Sequence, residues 1–287
     1  MSQAHPSQAP KQSSYDVVIV GGAMYGSSVA WFLTDNPDFN GSILVVERDP
    51  NYEFDGWKRS AQERGAEYLT NEVVAMSKNA AGTKVESITL KSGEVIACGN
   101  VVNASGPRAV LTSRMAGIEI PVEPRKRYTF IFDAEQPLDR DLPLTIDPVG
   151  VHMRSEGKYY LAGCPPDIDP AADYDDFTQD HAIWEDKLWP TIAHRIPQFE
   201  AIKVVNSWAG HYAFNTFDQN AILGPHTEVE NFIFVNGFSG HGFQQSPAMG
   251  RGTAELITYG GYRELDLSPF NYERIANHQP FAEKAVI

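Results

Sequence analysis

The sequence predicts a mixed α/β fold, in which a Rossmann-like dinucleotide-binding domain is interrupted by a smaller antiparallel β domain. Three observations predict it. A strand–glycine turn–helix–strand–acid unit runs from Asp16 to Glu47. A second α/β block near the C-terminus joins Phe232–Asn236 to a helix through a glycine-rich turn. Between them, from about Glu119, lie short alternating segments joined by turns, the pattern of antiparallel strands.

Asp16-Val17-Val18-Ile19-Val20 is apolar and β-branched, as expected of a strand buried on both faces. Gly21-Gly22-Ala23-Met24-Tyr25-Gly26 turns the chain, and Ser27 to Leu33 has helical spacing. Ser42 to Val46 is a second buried strand ending in Glu47, 21 residues after Gly26. Such a turn lets backbone N–H groups reach a pyrophosphate at a helix N-terminus, and the terminal carboxylate can accept from ribose hydroxyls. Against the G-x-G-x-x-G pattern, Ala23 replaces the middle glycine, the smallest departure available. The plain alternative is a β-α-β unit with no ligand.

Trp57 to Arg64 reads as a short charged helix ended by Gly65, and Ala66–Leu69 and Glu72–Met76 as strands. Val85–Leu90 and Val95–Cys98 flank a hairpin turn; Val101-Val102-Asn103 is a separate strand entering Ala104-Ser105-Gly106-Pro107, and Ala109–Ala116 a helix. Arg127–Phe132, Gly150–Arg154, Lys158–Gly163 and Val204–Ala213 read as strands, and His181–Arg195 and Phe243–Tyr259 as helices. Asp167 to Asp180, with six aspartates, reads as a solvated surface loop. The expected domains are 15–118 with 204–287, and 119–203, after a disordered polar tail at 1–14.

The net charge of -14 argues against nucleic-acid binding and against anionic lipid surfaces. Cys98 and Cys164 lie far apart, without metal-ligand spacing, which points to free thiols, a cytoplasmic protein and no metal site. Val17 to Leu33 is too short and glycine-punctuated for a membrane span.

Three segments carry a resemblance: the opening Val17–Ser28 unit, Val101–Pro107, and Gly237-Phe238-Ser239-Gly240-His241-Gly242-Phe243-Gln244-Gln245. Together they resemble the D-amino-acid-oxidase-like FAD-dependent oxidoreductases, a superfamily with sarcosine oxidase and glycine oxidase. The run from Trp208, with Asn215–Asn220 and Leu267–Phe270, resembles the "FAD-dependent oxidoreductase domain-containing" subgroup. The resemblance implies FAD as cofactor and an amine or amino acid as substrate, oxidised at its C–N bond by hydride transfer. It places Gly21, Gly22, Ala23, Gly26 and Ser27 at the pyrophosphate, Glu47 and Arg48 at the adenosine ribose, and Val73 or Val74 at the adenine. Ala104, Ser105 and Gly106 would form a second wall, and Gly240, His241, Gly242, Phe243 and Gln244 would set a helix N-terminus against the flavin. His241 and Arg154 are the catalytic candidates; a backbone-bonded turn histidine and a surface arginine are their plain alternatives. Tyr128, Tyr212 and Asn215 are weaker pocket candidates.

The resemblance also has a gap. A long segment of the family pattern, which covers the flavin ring and shapes the substrate pocket, is missing after Glu47, with the join near Phe54–Lys58. The antiparallel substrate-type domain is therefore reduced, and Tyr160–Gly163 carries no counterpart of the lysine that oxygen-using relatives place near flavin. This leaves a second expectation: a non-catalytic FAD-binding scaffold or assembly factor that works through a protein partner.

Overall fold

The computed structural model describes residues 7–49 and 55–284. Pro50, Asn51 and Phe54, expected in a turn and at the join, and the first residues of the tail lie outside the described residues. The chain divides into two compact units, one holding the residues up to Glu123 and from Ala213 onward, the other Pro124–Tyr212.

The first unit is built on strands β1 (Ser14–Val20), β2 (Ile43–Glu47), β3 (Glu67–Thr70), β4 (Val73–Lys78), β5 (Val85–Leu90) and β6 (Val95–Asn103). Helices α1 (Met24–Asp35) and α2 (Asp55–Glu63) precede β3 and α3 (Ala109–Met115) follows β6. β1 is parallel to β2 and to β6, and β2 to β3, while β4 and β5 form an antiparallel hairpin that joins the sheet through β6. The period of two sends Val17–Val20 alternately to two buried faces, which is why that run of β1 is apolar. Val18 and Val20 enter one buried cluster with Ile88, Val101 and Val110. Val17 and Ile19 enter another, on the α1 side, with Val29 and Leu33.

The second unit carries strands β7 (Val122–Ala134), β8 (Thr145–Ile146), β9 (His152–Glu156), β10 (Tyr159–Cys164) and β11 (Ile202–Asn215), with α4 (Trp189–Arg195). Their order in the sheet is β11-β7-β10-β9-β8. Phe130, Phe132, Tyr160, Trp184 and Phe199 form its aromatic core. The chain then completes the first unit with β12 (Ile222–Pro225), β13 (Phe232–Asn236), α5 (Gly242–Tyr259) and α6 (Glu273–Ala276). β13 runs parallel to β6, and β12 pairs antiparallel with β13.

Three expectations need correction. Residues 8–14 are not a free tail: Gln8 N–H donates to the Thr70 carbonyl at 3.0 Å, Lys11 N–H to Glu67 Oε1 at 2.9 Å, and Ser14 opens β1. β3 ends the sheet, and its unpaired polar groups take the segment as a cover. Val95–Cys98 and Val101–Asn103 are one strand, β6, because Gly99 lets it pass β1; a Cβ there would meet the Asp16 carbonyl oxygen at 2.6 Å. The helix expected over His181–Arg195 begins as a π turn at Trp184–Leu188 before α4, in keeping with Pro190, which cannot donate the next i→i−4 bond.

The acidic segment 167–180 is a surface loop, as expected, with no buried residue. It is also strapped to its own unit. Arg127 holds Asp169 in a two-pronged pair, both bonds 2.9 Å, and also donates to the Tyr212 hydroxyl at 2.5 Å. Lys126 Nζ reaches Asp176 at 2.6 Å, Arg125 bridges Ala171, and Phe177 stacks on His211 at 4.4 Å. Two of its six aspartates, Asp169 and Asp176, take partners from the basic run Arg125-Lys126-Arg127, and Asp167 pairs with Lys187.

Candidate functional site

The C-terminal ends of β1, β2, β6 and β13 lie at one edge of the parallel sheet, where open α/β folds bind ligands. The sheet order places β2 and β6 on either side of β1, so the chain order reverses there. The turns leaving these strands contain most of the residues expected at a cofactor.

After β1, Gly21 has φ +102°, and a Cβ on it would lie 2.4 Å from the Ala104 carbonyl oxygen. A Cβ on Gly26 would lie 1.8 Å from the Gly21 oxygen, so this position is closed to any side chain. The turn is tight, and it abuts the turn that follows β6. Ala23 caps α1 without a side-chain hydrogen bond, and no acidic residue stands in the first helical turn. The positive end of the dipole and its amides are therefore left for an external anion. Ser27 is buried; its hydroxyl donates to the Gly22 carbonyl at 2.6 Å and accepts from the Tyr68 hydroxyl at 3.1 Å.

Glu47 ends β2 beside this turn. Its Oε2 accepts from Gly22 N–H at 2.7 Å and its Oε1 from Asp49 N–H at 2.8 Å. Two backbone donors thus fix the carboxylate at the strand end, with lone pairs left over for hydroxyl donors. Arg48 is exposed, with its guanidinium 4.0 Å from Glu72. A register shift between Val73 and Ala75 leaves the exposed Val74 unmatched across from β5.

After β6, Ala104 is buried, while Ser105 and Gly106 are partly exposed and lead through a 3-10 turn, Gly106–Arg108, into α3. Asn103, fully buried, shapes this wall. Its Oδ1 accepts from Ser105 N–H and Oγ, at 3.2 and 2.7 Å, and its Nδ2 donates to the Ala109 carbonyl at 2.9 Å. Asn236 at the end of β13 also donates to Asn103, at 3.3 Å.

After β13, Ser239 and Gly240 take positive φ, and His241 caps α5 without a side-chain hydrogen bond and with no acidic residue in the first turn. This is a second uncapped helix N-terminus at the same sheet edge. Pro247 lies inside α5; the Ser246 hydroxyl donates to the Phe243 carbonyl at 2.8 Å, the oxygen Pro247 cannot reach. His241 N–H bonds to the Phe238 carbonyl at 2.9 Å, yet its Nδ1 is buried without a hydrogen-bond partner, as is Gln245 Oε1. Buried polar atoms left in this state are expensive, which fits a bound polar group at this turn. Phe243 and Gln244 are exposed.

The structure thus brings Gly21, Gly22, Ala23, Gly26, Ser27, Glu47, Ala104, Ser105, Gly106, Gly240, His241 and Gly242 to one edge of the sheet. Arg154 belongs to the second unit. It is about half exposed on β9 and pairs with Glu156 at 2.6 Å, the surface arrangement. Asn215 is structural: its Nδ2 donates to Asp218 Oδ1 and to the Asn220 carbonyl, at 2.8 and 2.6 Å. Asn103, Tyr25 and Tyr68 were not singled out from sequence. A buried-looking asparagine at a strand end was the available signal for the first; the tyrosines gave none.

Residues 54–256 match the family model described as "FAD dependent oxidoreductase" (DAO). The chain belongs to this family. The FAD-dependent oxidoreductase domain-containing protein 1 of Xenopus laevis is 40% identical over 205 residues, 67% of this chain and 41% of that protein. Its Bos taurus namesake is 35% identical over 266 residues, 83% of this chain and 54% of that protein. The chain therefore spans about half the length of the curated relatives it matches. Among solved DAO-like folds, the L-proline dehydrogenase of P. horikoshii aligns at TM-score 0.81 and 19% identity, covering 93% of this chain and 99% of that one. The glycine oxidase of Geobacillus kaustophilus aligns at TM-score 0.73 and 16% identity, covering 91% and 98%. The DAO family is FAD-dependent, and the α/β fold is that of its members. Among the described residues, no helix is long and apolar enough to cross a membrane.

Proposed function

We propose that this chain binds FAD along the sheet edge and acts as an oxidoreductase on the C–N bond of a secondary amine or amino acid. The observation that carries the reading is the pair of uncapped helix N-termini, α1 and α5, at the ends of the parallel strands β1 and β13 that flank β6. One suits the pyrophosphate. The other suits the flavin edge that becomes negative on reduction.

The residue types at this edge suit the group. Gly21 and Gly26 leave no Cβ in the turn, and Gly22 gives its N–H to Glu47 and so ties the turn to β2. Ala23 and the first turn of α1 offer amides to the pyrophosphate, and Glu47 with the adjoining Arg48 would take the ribose hydroxyls. Val74, outside its ladder, is the candidate for the adenine. Ala104, Ser105 and Gly106 would wall the middle of the cofactor, and Gly240, His241, Gly242, Phe243 and Gln244 the flavin end. FAD, when bound, supplies the hydride acceptor. The protein's part is to hold it, and His241 is the group best placed to give or take a hydrogen bond there, since its Nδ1 lacks a partner. Arg154, held by Glu156, remains a proposed carboxylate partner only if that surface pair opens. Relatives named for proline dehydrogenation and glycine oxidation support the substrate class.

A second reading is a non-catalytic FAD-binding scaffold with a protein partner. The segment missing from the family pattern after Glu47 favours it. Purification and anaerobic titration separate the two. The enzyme reading expects a yellow protein that sarcosine, proline or another amino acid bleaches. Bound flavin that no amine of the panel reduces supports the scaffold; a colourless protein that takes up no added FAD sinks both.

A further inference from the structure

We propose that Tyr25 is a positioning residue that ties the glycine turn to the turn entering α5, so that both ends of the FAD site keep one spacing. The proposal rests on the FAD reading above. Tyr25 lies inside the glycine turn, in the first turn of α1, where the motif demands nothing of its side chain. Its ring stacks on Phe238, centroids 4.2 Å apart and planes 12° from parallel. Phe238 is buried and belongs to the segment between β13 and α5.

The phenol reaches further, to the first residue of α5. A Cβ on Gly242 would lie 1.5 Å from the Tyr25 hydroxyl oxygen, 2.3 Å from Cζ and 2.6 Å from Cε1. The Tyr25 ring therefore fills the space that any side chain at 242 would need. Gly242 is required by Tyr25, and not by its own backbone. Deeper along the helices, Ser28 Oγ donates to the Ser246 carbonyl at 2.8 Å, and Gly250 lets Ser28 approach. α1 and α5 are thus interlocked at several levels, but Tyr25 is in contact with both ligand-facing turns. A dinucleotide that must engage two separate helix N-termini binds well only if their separation is set beforehand, because disorder at either end costs ordering entropy on binding.

The test is a space-swap cycle on the full chain, read by FAD titration, by the absorption spectrum of the bound flavin, and by thermal unfolding of the cofactor-free protein. Tyr25→Phe keeps the stack and should bind FAD as the unaltered chain does. Tyr25→Ala should weaken FAD at least tenfold and shift the flavin spectrum. Gly242→Ala should weaken it further, and Tyr25→Ala in the same chain should restore affinity to that of Tyr25→Ala alone. Phenylalanine at 25 should not rescue Gly242→Ala, since ring carbons also occupy the space. Additive losses in the double variant, or unchanged FAD affinity and spectrum in Tyr25→Ala, overturn the proposal. If Gly242→Ala does not fold, the Tyr25→Ala and Tyr25→Phe titrations still decide. No FAD uptake by the unaltered chain overturns the FAD reading and the role of Tyr25 with it. The unfolding cycle would then measure a packing contact only.

Discussion

Glu47 shows how one side chain can serve both the fold and a ligand. Its carboxylate holds the Gly22 and Asp49 amides, so it helps to shape the turn before any cofactor arrives. Glu47→Gln keeps a carbonyl oxygen for Gly22 but loses the charge. If the carboxylate also takes the ribose hydroxyls, the loss is about 1.5–3 kcal/mol of binding, roughly tenfold or more in Kd. An FAD titration of Glu47→Gln with an unchanged Kd removes the ribose assignment. Tyr68 stands beneath the same turn, donating to Ser27, and burial pushes its phenol up to about 12. The folded chain therefore keeps this proton where the unfolded chain, near the ordinary value of 10, has lost it. Its contribution to stability is whole below the unfolded value and drains away as pH climbs through 10 towards 12. Urea midpoints measured across that window should fall less steeply in Tyr68→Phe than in the unaltered chain. Equal slopes would mean that this phenol titrates elsewhere than the structure implies.

Among the elements, the exposed 167–180 strap is held by pairs that its composition did not show. Its acids find Arg127 and Lys126 on β7, and Lys126 first, then Thr178, holds the Asp176 carboxyl well below the usual range. The strap should therefore stay pinned until strongly acid pH, when Asp176 takes up its proton. Asp169→Ala leaves a half-buried guanidinium without its carboxylate, at a cost of about 1.5–3 kcal/mol. Trypsin and a nonspecific protease should cut within 167–180 in that variant well before they cut the unaltered chain. Identical cleavage patterns would show that the remaining contacts carry the strap. α5 makes the complementary point. Its start and end were legible, because a glycine-rich turn precedes it and Gly260 takes the left-handed cap with its N–H on the Leu256 carbonyl. Its first-turn glycine was legible only as a glycine; the reason for it is Tyr25, some two hundred residues earlier in the chain.

At the scale of the whole molecule, a cofactor that binds only the folded chain must also stabilise it. FAD at about a hundredfold excess over its Kd should add about 2.7 kcal/mol. Thermal unfolding of the stripped and the loaded protein checks this: a melting temperature that does not rise with FAD concentration is incompatible with the proposed site. The β1–α1–β2 unit, the β13–α5 block and the antiparallel middle were readable from the chain because each rests on short-range patterns. These are period-two apolarity, glycine at positive φ, and an acid at a strand end. The contact boundaries at Glu123 and Ala213 lie inside the long strands β7 and β11, where no change in composition marks them. Turn chemistry and strand periodicity act within a few residues, so they are written locally, and they specify a nucleotide-binding sheet edge. The tail's grip on β3, the Arg127–Asp169 fork, Asn103 behind the Ala104 wall and the ring of Tyr25 against Gly242 join residues far apart in the chain. Such contacts depend on which surfaces packing brings together, and only the folded molecule decides that.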